Sequence, residues 1–266
     1  MWKWEADKAR GVFVLVHGSG EHHGRYEWLI EEWRANGFHV IMGDLPGHGE
    51  TAERPGHIDS FDEYIESIAR WVRKAESCNL PIFLLGHSLG GLAVIRTLTE
   101  KILPVSAVIL SSPCVGLKNP PPKPLKLFAK AVNTFAPRWR VRIKSSGSNP
   151  SATRNQDRLK KDDQDPLILR KVSIRWYTQL EKALNLAFEK IDEFPDVPLL
   201  VMQAGEDKIV DKHEVIRWFN QIPVGDKTYK EWNGLFHEIF NEPERKEVFD
   251  CALGFVEPHL NLHQEC

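Results

Sequence analysis

The chain has 266 residues, 42% hydrophobic and 27% charged, which excludes a disordered or fibrous protein and allows one large buried core. Its 35 Lys and Arg against 37 Asp and Glu leave a formal charge of -2, so bulk electrostatics does not point to a nucleic-acid partner.

Short apolar runs recur along the chain as GVFVLVH (11–17), HVIMGDL (39–45), PIFLLGH (81–87), VSAVILSSP (105–113), VPLLVMQAG (197–205) and KTYKEW (227–232). All but the last are continuous rather than alternating, the pattern of central parallel strands covered on both faces. Between and after them lie the helical patterns YEWLIEEWRANG, FDEYIESIARWVRKAES, GLAVIRTLTEKI, DKHEVIRWFNQI and PERKEVFDCALGFVEPHL. Strand alternating with helix predicts an α/β domain with a mostly parallel sheet flanked by helices.

One interval breaks the alternation. From about Cys114 to Pro195 there is no convincing strand, while PLKLFAKAVNTF (124–135) and LILRKVSIRWYTQLEKALNLAFEK (167–190) read as helices. Some eighty residues exceed a structureless loop, so a helical cap over residues 116–195 is expected, with the α/β core at 1–115 and 196–266. Such an insertion leaves the carboxyl edge of the sheet, where ligands bind in α/β folds. The run NPPPKP (119–124) reads as its stiff entry.

The four cysteines, Cys78, Cys114, Cys251 and Cys266, have neither CxxC nor metal-finger spacing, and the opening MWKWEADKAR lacks the apolar stretch of a signal peptide. No apolar run approaches the roughly 20 residues that cross a bilayer. A cytoplasmic protein with free thiols is expected, able to touch the inner membrane surface.

The chemistry starts at GHSLG (86–90), a Gly-x-Ser-x-Gly pattern. Chance supplies this pattern in about one chain in ten of this length, so its context decides. Here a strand enters and a helix leaves, as a nucleophile elbow requires. Gly86 and Gly90 allow strand and helix to pack closely beside a strained Ser88, and the helix N-terminus favours developing negative charge. Ser88 is therefore the expected nucleophile.

The order that belongs with this elbow is serine, acid, histidine. His213 sits in a helical pattern, and His259 and His263 lie near the C-terminus. His237 follows a strand through the short loop NGLFHEIF (233–240), and is the expected base. The strand VPLLVMQAG runs straight into EDKIVD (206–211), where Asp207 is best placed as the acid; Asp211 reads as a helix N-cap and Glu206 as a solvated neighbour. The oxyanion needs two N–H donors. Leu89, next after the nucleophile, supplies one, and Ser19, in the loop HGSGEHHGRY (17–26), is expected to supply the other. His22 and His23 read as exposed loop residues rather than metal ligands, and His48 as the holder of a structural hydrogen bond.

HGSGEHHGRY (17–26), GDLPGHGET (43–51), GHSLGG (86–91), QAGEDKIVD (203–211) and GLFHEIFNE (234–242) together resemble the monoacylglycerol lipase and lysophospholipase branch of the α/β-hydrolases. The likeness runs in order over nearly the whole chain and is strongest to bacillar lysophospholipase-type members, including RKVSIRWY (170–177) in the cap. It implies the triad Ser88, Asp207 and His237, the oxyanion donors Ser19 and Leu89, a mobile helical cap, and no metal or organic cofactor. The family usually opens with a two-stranded hairpin; here MWKWEADKAR leaves room for one short strand with Trp2 and Trp4 on one face.

The function expected is hydrolysis of the acyl ester of a monoacyl lipid, a lysophospholipid or monoacylglycerol. A small-ester carboxylesterase, thioesterase or peptidase is the alternative on the same scaffold. A non-catalytic sensor would typically lack a triad member, and a dehalogenase or epoxide hydrolase wants aspartate where Ser88 stands.

The cap carries its own charge signal. No acidic residue occurs between Glu100 and Asp157, whereas Lys118, Lys123, Lys126, Lys130, Arg138, Arg140, Arg142 and Lys144 fall there. In PLKLFAKAVNTF, Phe128, Ala131, Val132 and Phe135 follow helical spacing. This helix either rests on anionic lipid or packs on the core with a solvated basic face.

Overall fold

A computed structural model describes residues 1–143 and 149–260; Lys144, His263 and Cys266 lie outside the described residues. The chain opens with strand β1 (Trp2–Trp4) and continues through β2 (Gly11–Val16), helix α1 (Glu27–Ala35), β3 (Phe38–Met42), α2 (Asp62–Glu76), β4 (Ile82–His87), α3 (Leu89–Glu100) and β5 (Ala107–Ser111). Every residue of β2, β4 and β5 is buried, which is why these runs are continuously apolar. Alternate side chains serve opposite faces of the sheet. Val12, Val14 and Val16 meet Tyr64, Ile68 and Val72 of α2 on one side. Phe13 and Leu15 meet Trp33 of α1 on the other.

An excursion then separates β5 from the next strand of the sheet. It holds α4 (Lys123–Phe135), β6 (Arg140–Arg142), α5 (Gln156–Gln164), β7 (Lys171–Ser173) and α6 (Ile174–Glu189). The interval departs from the expected helices in two ways. This interval contains strands, because β6 and β7 pair antiparallel, and each has three residues, too few to show a period. It also contains α5, whose sequence QDRLKKDDQ has no apolar stripe; the run from Leu167 is helical only from Ile174.

The chain returns through β8 (Leu199–Ala204), α7 (Lys212–Gln221), β9 (Lys227–Trp232) and α8 (Arg245–Val256). The main sheet runs β1-β3-β2-β4-β5-β8-β9. All neighbours are parallel except β1, which lies antiparallel to β3 with Trp2 opposite Met42. The single short opening strand is thus present, at the sheet's edge. At the other edge β9 alternates half-buried and exposed residues. Among the described residues no helix is long and apolar enough to cross a membrane, and Cys78, Cys114 and Cys251 are free thiols.

Parallel strands send their carboxyl ends to one edge. The loops after β2, β4, β8 and β9, which carry Ser19, Ser88, Asp207 and His237, therefore gather there.

Candidate active site

Ser88 sits between β4 and α3 with φ 52° and ψ -118°, a region that a non-glycine residue occupies only under constraint. The constraint is the close approach of strand and helix. A Cβ on Gly86 would lie 2.7 Å from Gly90 O and 2.8 Å from Gly91 Cα, and one on Gly90 would strike the backbone carbonyls of Val16 and His17. The Ser88 backbone is fully engaged: its N–H donates to Ser111 O at 2.9 Å, and its carbonyl accepts from Leu92 N at 3.1 Å and Cys114 N at 3.0 Å. Leu89 opens α3, so its N–H has no intrahelical acceptor.

Asp207 and His237 meet directly, with His237 Nδ1 2.8 Å from Asp207 Oδ2. Both are buried. Asp207 Oδ2 also accepts from Gln203 Nε2 at 2.9 Å, and Oδ1 accepts from the N–H groups of Ile209 and Val210 at 2.9 Å each. Burial penalises the Asp207 carboxylate, but the adjacent imidazole and these donors outweigh it and hold its pKa below the usual carboxylate range. Burial likewise works against the His237 imidazolium, and the Asp207 charge and hydrogen bond overcome it, so the His237 pKa is raised. The imidazole packs 4.9 Å from the ring of His87, the residue before Ser88. His237 Nε2 is buried and makes no hydrogen bond, so the structure does not close a bond from Ser88 Oγ to it. Such bonds commonly tighten only when substrate is bound.

Ser19, Ser88 and Leu89 line one cavity of about 570 Å³, together with Trp176, Tyr177 and Leu180 of α6. The remaining competitors for a role stand elsewhere. Asp211 caps α7, accepting from His213 N at 3.0 Å, while Glu206 is exposed. His259 is occupied by Phe255 O and Asp226.

Residues 7–244 match the family model described as "Serine aminopeptidase, S33". The chain is 49% identical to the phospholipase YtpA of Bacillus subtilis, over 98% of this chain and all of that one. It is 30% identical to the monoglyceride lipase of Rattus norvegicus, over 91% of this chain and 79% of that one. The crystal structure of the monoacylglycerol lipase of Paleococcus ferrophilus superposes with a TM-score of 0.85 at 31% identity, covering 97% of this chain and 98% of the other. This chain belongs to that family of α/β-hydrolases.

The hydrolase fold was legible at its elbow, but a buried charge cluster beside it was not. Arg25 reaches Asp162 of α5 through Nε at 3.0 Å and Nη2 at 2.6 Å, Glu238 through Nη2 at 2.9 Å, and Glu21 through Nη1 at 2.7 Å. Glu21 Oε2 accepts from Gly18 N at 2.9 Å and from Tyr26 Oη at 2.6 Å. Arg158 adds a second cation against Asp162. The cluster ties together the loop bearing Ser19, the residue after His237, and the insertion. Burial opposes the Glu21 charge, but Arg25 and His87 overcome it and lower the pKa. Burial raises that of Glu238, with Glu21 and Asp162 adding repulsion. The only sequence signal was the density of charge in GEHHGRY, which periodicity does not read.

Two hydrolase-loop histidines need correction. His22 and His23 are not exposed: His22 Nε2 lies 2.7 Å from Asp165 Oδ2, and His23 bonds Asp44 Oδ1 through its N–H at 2.7 Å and stacks on Trp2 at 3.6 Å. The insertion and β1 cover that loop, which no local pattern could announce. His48 is buried with Nδ1 3.1 Å from Pro46 O, the structural bond expected of it; burial pushes its pKa down to about 3.

Proposed function

We propose that this hydrolase is a serine carboxylic ester hydrolase that cleaves the acyl ester of a monoacyl lipid. The observation carrying the reading is the strained Ser88 opening into a cavity walled by apolar side chains from α6 and the segment before α4. A volume of about 570 Å³ falls in the ordinary range of small-ligand sites, on the order of 300–1,000 Å³.

In this reading Ser88 Oγ attacks the ester carbonyl while His237 Nε2 takes its proton. Asp207 holds the Nδ1–H tautomer and stabilises the imidazolium. The N–H groups of Leu89 and Ser19 receive the oxyanion, each contributing roughly 3 kcal/mol. The tetrahedral intermediate expels the glycerol-type alcohol, which takes the His237 proton. Water, deprotonated by His237, then releases the fatty acid and restores Ser88. No metal or organic cofactor enters.

Residues 116–195 serve as the cap. Its outer helix α4 leaves Leu127, Phe128 and Phe135 exposed, Phe135 by 90%, with Lys123 and Lys130 beside them. Ala129 is its one buried residue, since α4 packs chiefly on α6. This favours contact with an anionic membrane over the packed alternative. The free thiols fit a reducing compartment, and we place the protein in the cytoplasm at the inner membrane surface. An aminopeptidase reading lacks support, because no carboxylate lines the cavity among the described residues to hold a substrate ammonium.

The test is a panel of monoacylglycerols, lysophospholipids, diacyl lipids and short nitrophenyl esters. Monoacyl lipids should be cleaved fastest and Ser88→Ala should abolish every activity. Faster cleavage of diacyl lipids or peptides would overturn the reading.

A further inference from the structure

Two charged side chains line the cavity among the described residues, Lys208 and Arg142, and both are cations. Neither meets a carboxylate at ion-pairing distance among those residues. Two other cations of the adjoining segments are paired, Lys212 with Glu231 at 2.8 Å and Lys126 with Glu181 at 3.0 Å. The wall adds amide and hydroxyl groups of Asn119, Asn149 and Ser151.

The position of Lys208 gives this charge a direction. It follows Asp207 in the chain, and its Nζ lies 3.8 Å from the ring centroid of Phe236, the residue before His237. The ring fixes the ammonium where the acid loop meets the histidine loop. Because the proposed mechanism has His237 protonate the departing alcohol, a cation held beside the histidine loop is assigned to the headgroup rather than to the acyl chain. Arg142, exposed on β6, lines the same cavity and carries the planar fork that suits a phosphate.

Resting on the monoacyl reading, we propose that Lys208 and Arg142 receive the phosphate diester of a glycerophospho headgroup. The preferred substrate is then a lysophospholipid. An uncharged glycerol leaves two cations facing one cavity without a counter-charge, whereas a phosphate satisfies both.

The experiment uses octanoyl-glycerophosphoglycerol and octanoylglycerol as monomers below their micelle concentrations, which removes surface charge from the comparison. Lys208→Met and Arg142→Met should each lower the ratio of kcat/KM for the phospholipid to that for the glyceride about tenfold, through KM of the phospholipid. Lys208→Arg and Arg142→Lys should restore the ratio, and salt should shrink it. A ratio that stays put in both Met variants overturns the proposal while leaving the ester hydrolase reading intact. Cleavage of neither substrate by an enzyme whose Ser88 still reacts with a fluorophosphonate overturns the monoacyl reading and this inference together. Inorganic phosphate that inhibits octanoylglycerol hydrolysis as strongly as the lysophospholipid does would assign the site to free phosphate instead.

Discussion

Arg25 and Asp162 stand 137 residues apart in sequence and form a two-point ion pair, Nε at 3.0 Å and Nη2 at 2.6 Å, with both side chains buried. The pair joins the loop after β2 to the insertion, and Glu238 and Glu21 complete the coordination of the guanidinium. Removing the Arg25 cation leaves Glu21 and Glu238 buried without it and Asp162 with Arg158 alone. Arg25→Leu is expected to cost about 3–5 kcal/mol, the range for breaking a buried pair from one side. Glu238→Gln is the contrast. Its carboxyl pKa is already pushed up, so a neutral isostere should change stability by less than about 1 kcal/mol. Urea unfolding of both variants checks the pair; equal losses would dismiss the cluster as a charge-balanced unit.

The same cluster explains what the sequence hid. β2, β4, β5 and β8 are continuous apolar runs because both faces are covered, and their order fixes which loops share an edge, so the gathering of the loops that carry Ser88, Asp207 and His237 was legible from position alone. α5 is held by Asp162 and its neighbours rather than by an apolar stripe, and β6 and β7 by one another. Contacts of that kind join distant residues and leave no period in either segment. α4 was read with Phe128, Ala131, Val132 and Phe135 as its apolar face, yet the covered stripe centres on Ala129. It follows the neighbour that packs there, which composition does not reveal.

The elbow makes a steric prediction. A methyl group at Gly86 would sit 2.7 Å from Gly90 O and 2.8 Å from Gly91 Cα, and both neighbours are backbone that cannot turn aside. Gly86→Ala should therefore move the strand and helix apart, costing about 2–4 kcal/mol and displacing Ser88 from its strained geometry. Fluorophosphonate labelling of Ser88 should slow by at least about 100-fold in protein that remains folded by circular dichroism, as ångström-scale misplacement does. Labelling at the wild-type rate would show that the elbow tolerates the methyl group.

A pH prediction follows from the acid and the base. In the proposed mechanism His237 must be neutral to take the serine proton, and its pKa is raised above the ordinary 6.5 by Asp207 despite burial. The acid limb of kcat/KM should accordingly have its midpoint above about 6.5. Asp207→Asn removes the charge that raises it, so the limb should move to lower pH while kcat falls by about 10⁴-fold, the loss seen when a serine-protease aspartate is so replaced. Stability follows linkage with opposite signs for the two partners. The His237 contribution is complete below its unfolded pKa and is lost as pH rises through the raised value. The Asp207 contribution is present above its unfolded pKa and is lost as pH falls through the lowered value. An acid limb that stays in place in Asp207→Asn would separate the carboxylate from the titrating group.

The surface of α4 yields the last prediction. Leu125, Leu127, Phe128 and Phe135 are exposed there, and Trp139 lies just beyond; the helix is anchored to α6 by Lys126 with Glu181 at 3.0 Å and by Arg175 with Asn133 at 2.8 Å. Exposed aromatic side chains gain by entering a lipid interface, and each well-placed basic residue adds roughly 1 kcal/mol against anionic headgroups. Sedimentation with vesicles should therefore show binding that rises with the fraction of anionic lipid and falls with salt. Reversing the exposed Lys123 and Lys130 to glutamate, with the Lys126 anchor left in place, should weaken binding to anionic vesicles by at least about 100-fold, since each change removes an attraction and adds a repulsion. Phe128→Ala with Phe135→Ala should weaken binding to neutral vesicles too, because the lost area is apolar. These variants lie away from the cavity, so hydrolysis of a monomeric short-chain ester should persist while hydrolysis of vesicle-borne substrate drops. Vesicle binding indifferent to anionic lipid, or unmoved by the double reversal, would leave the exposed face of α4 without a membrane role.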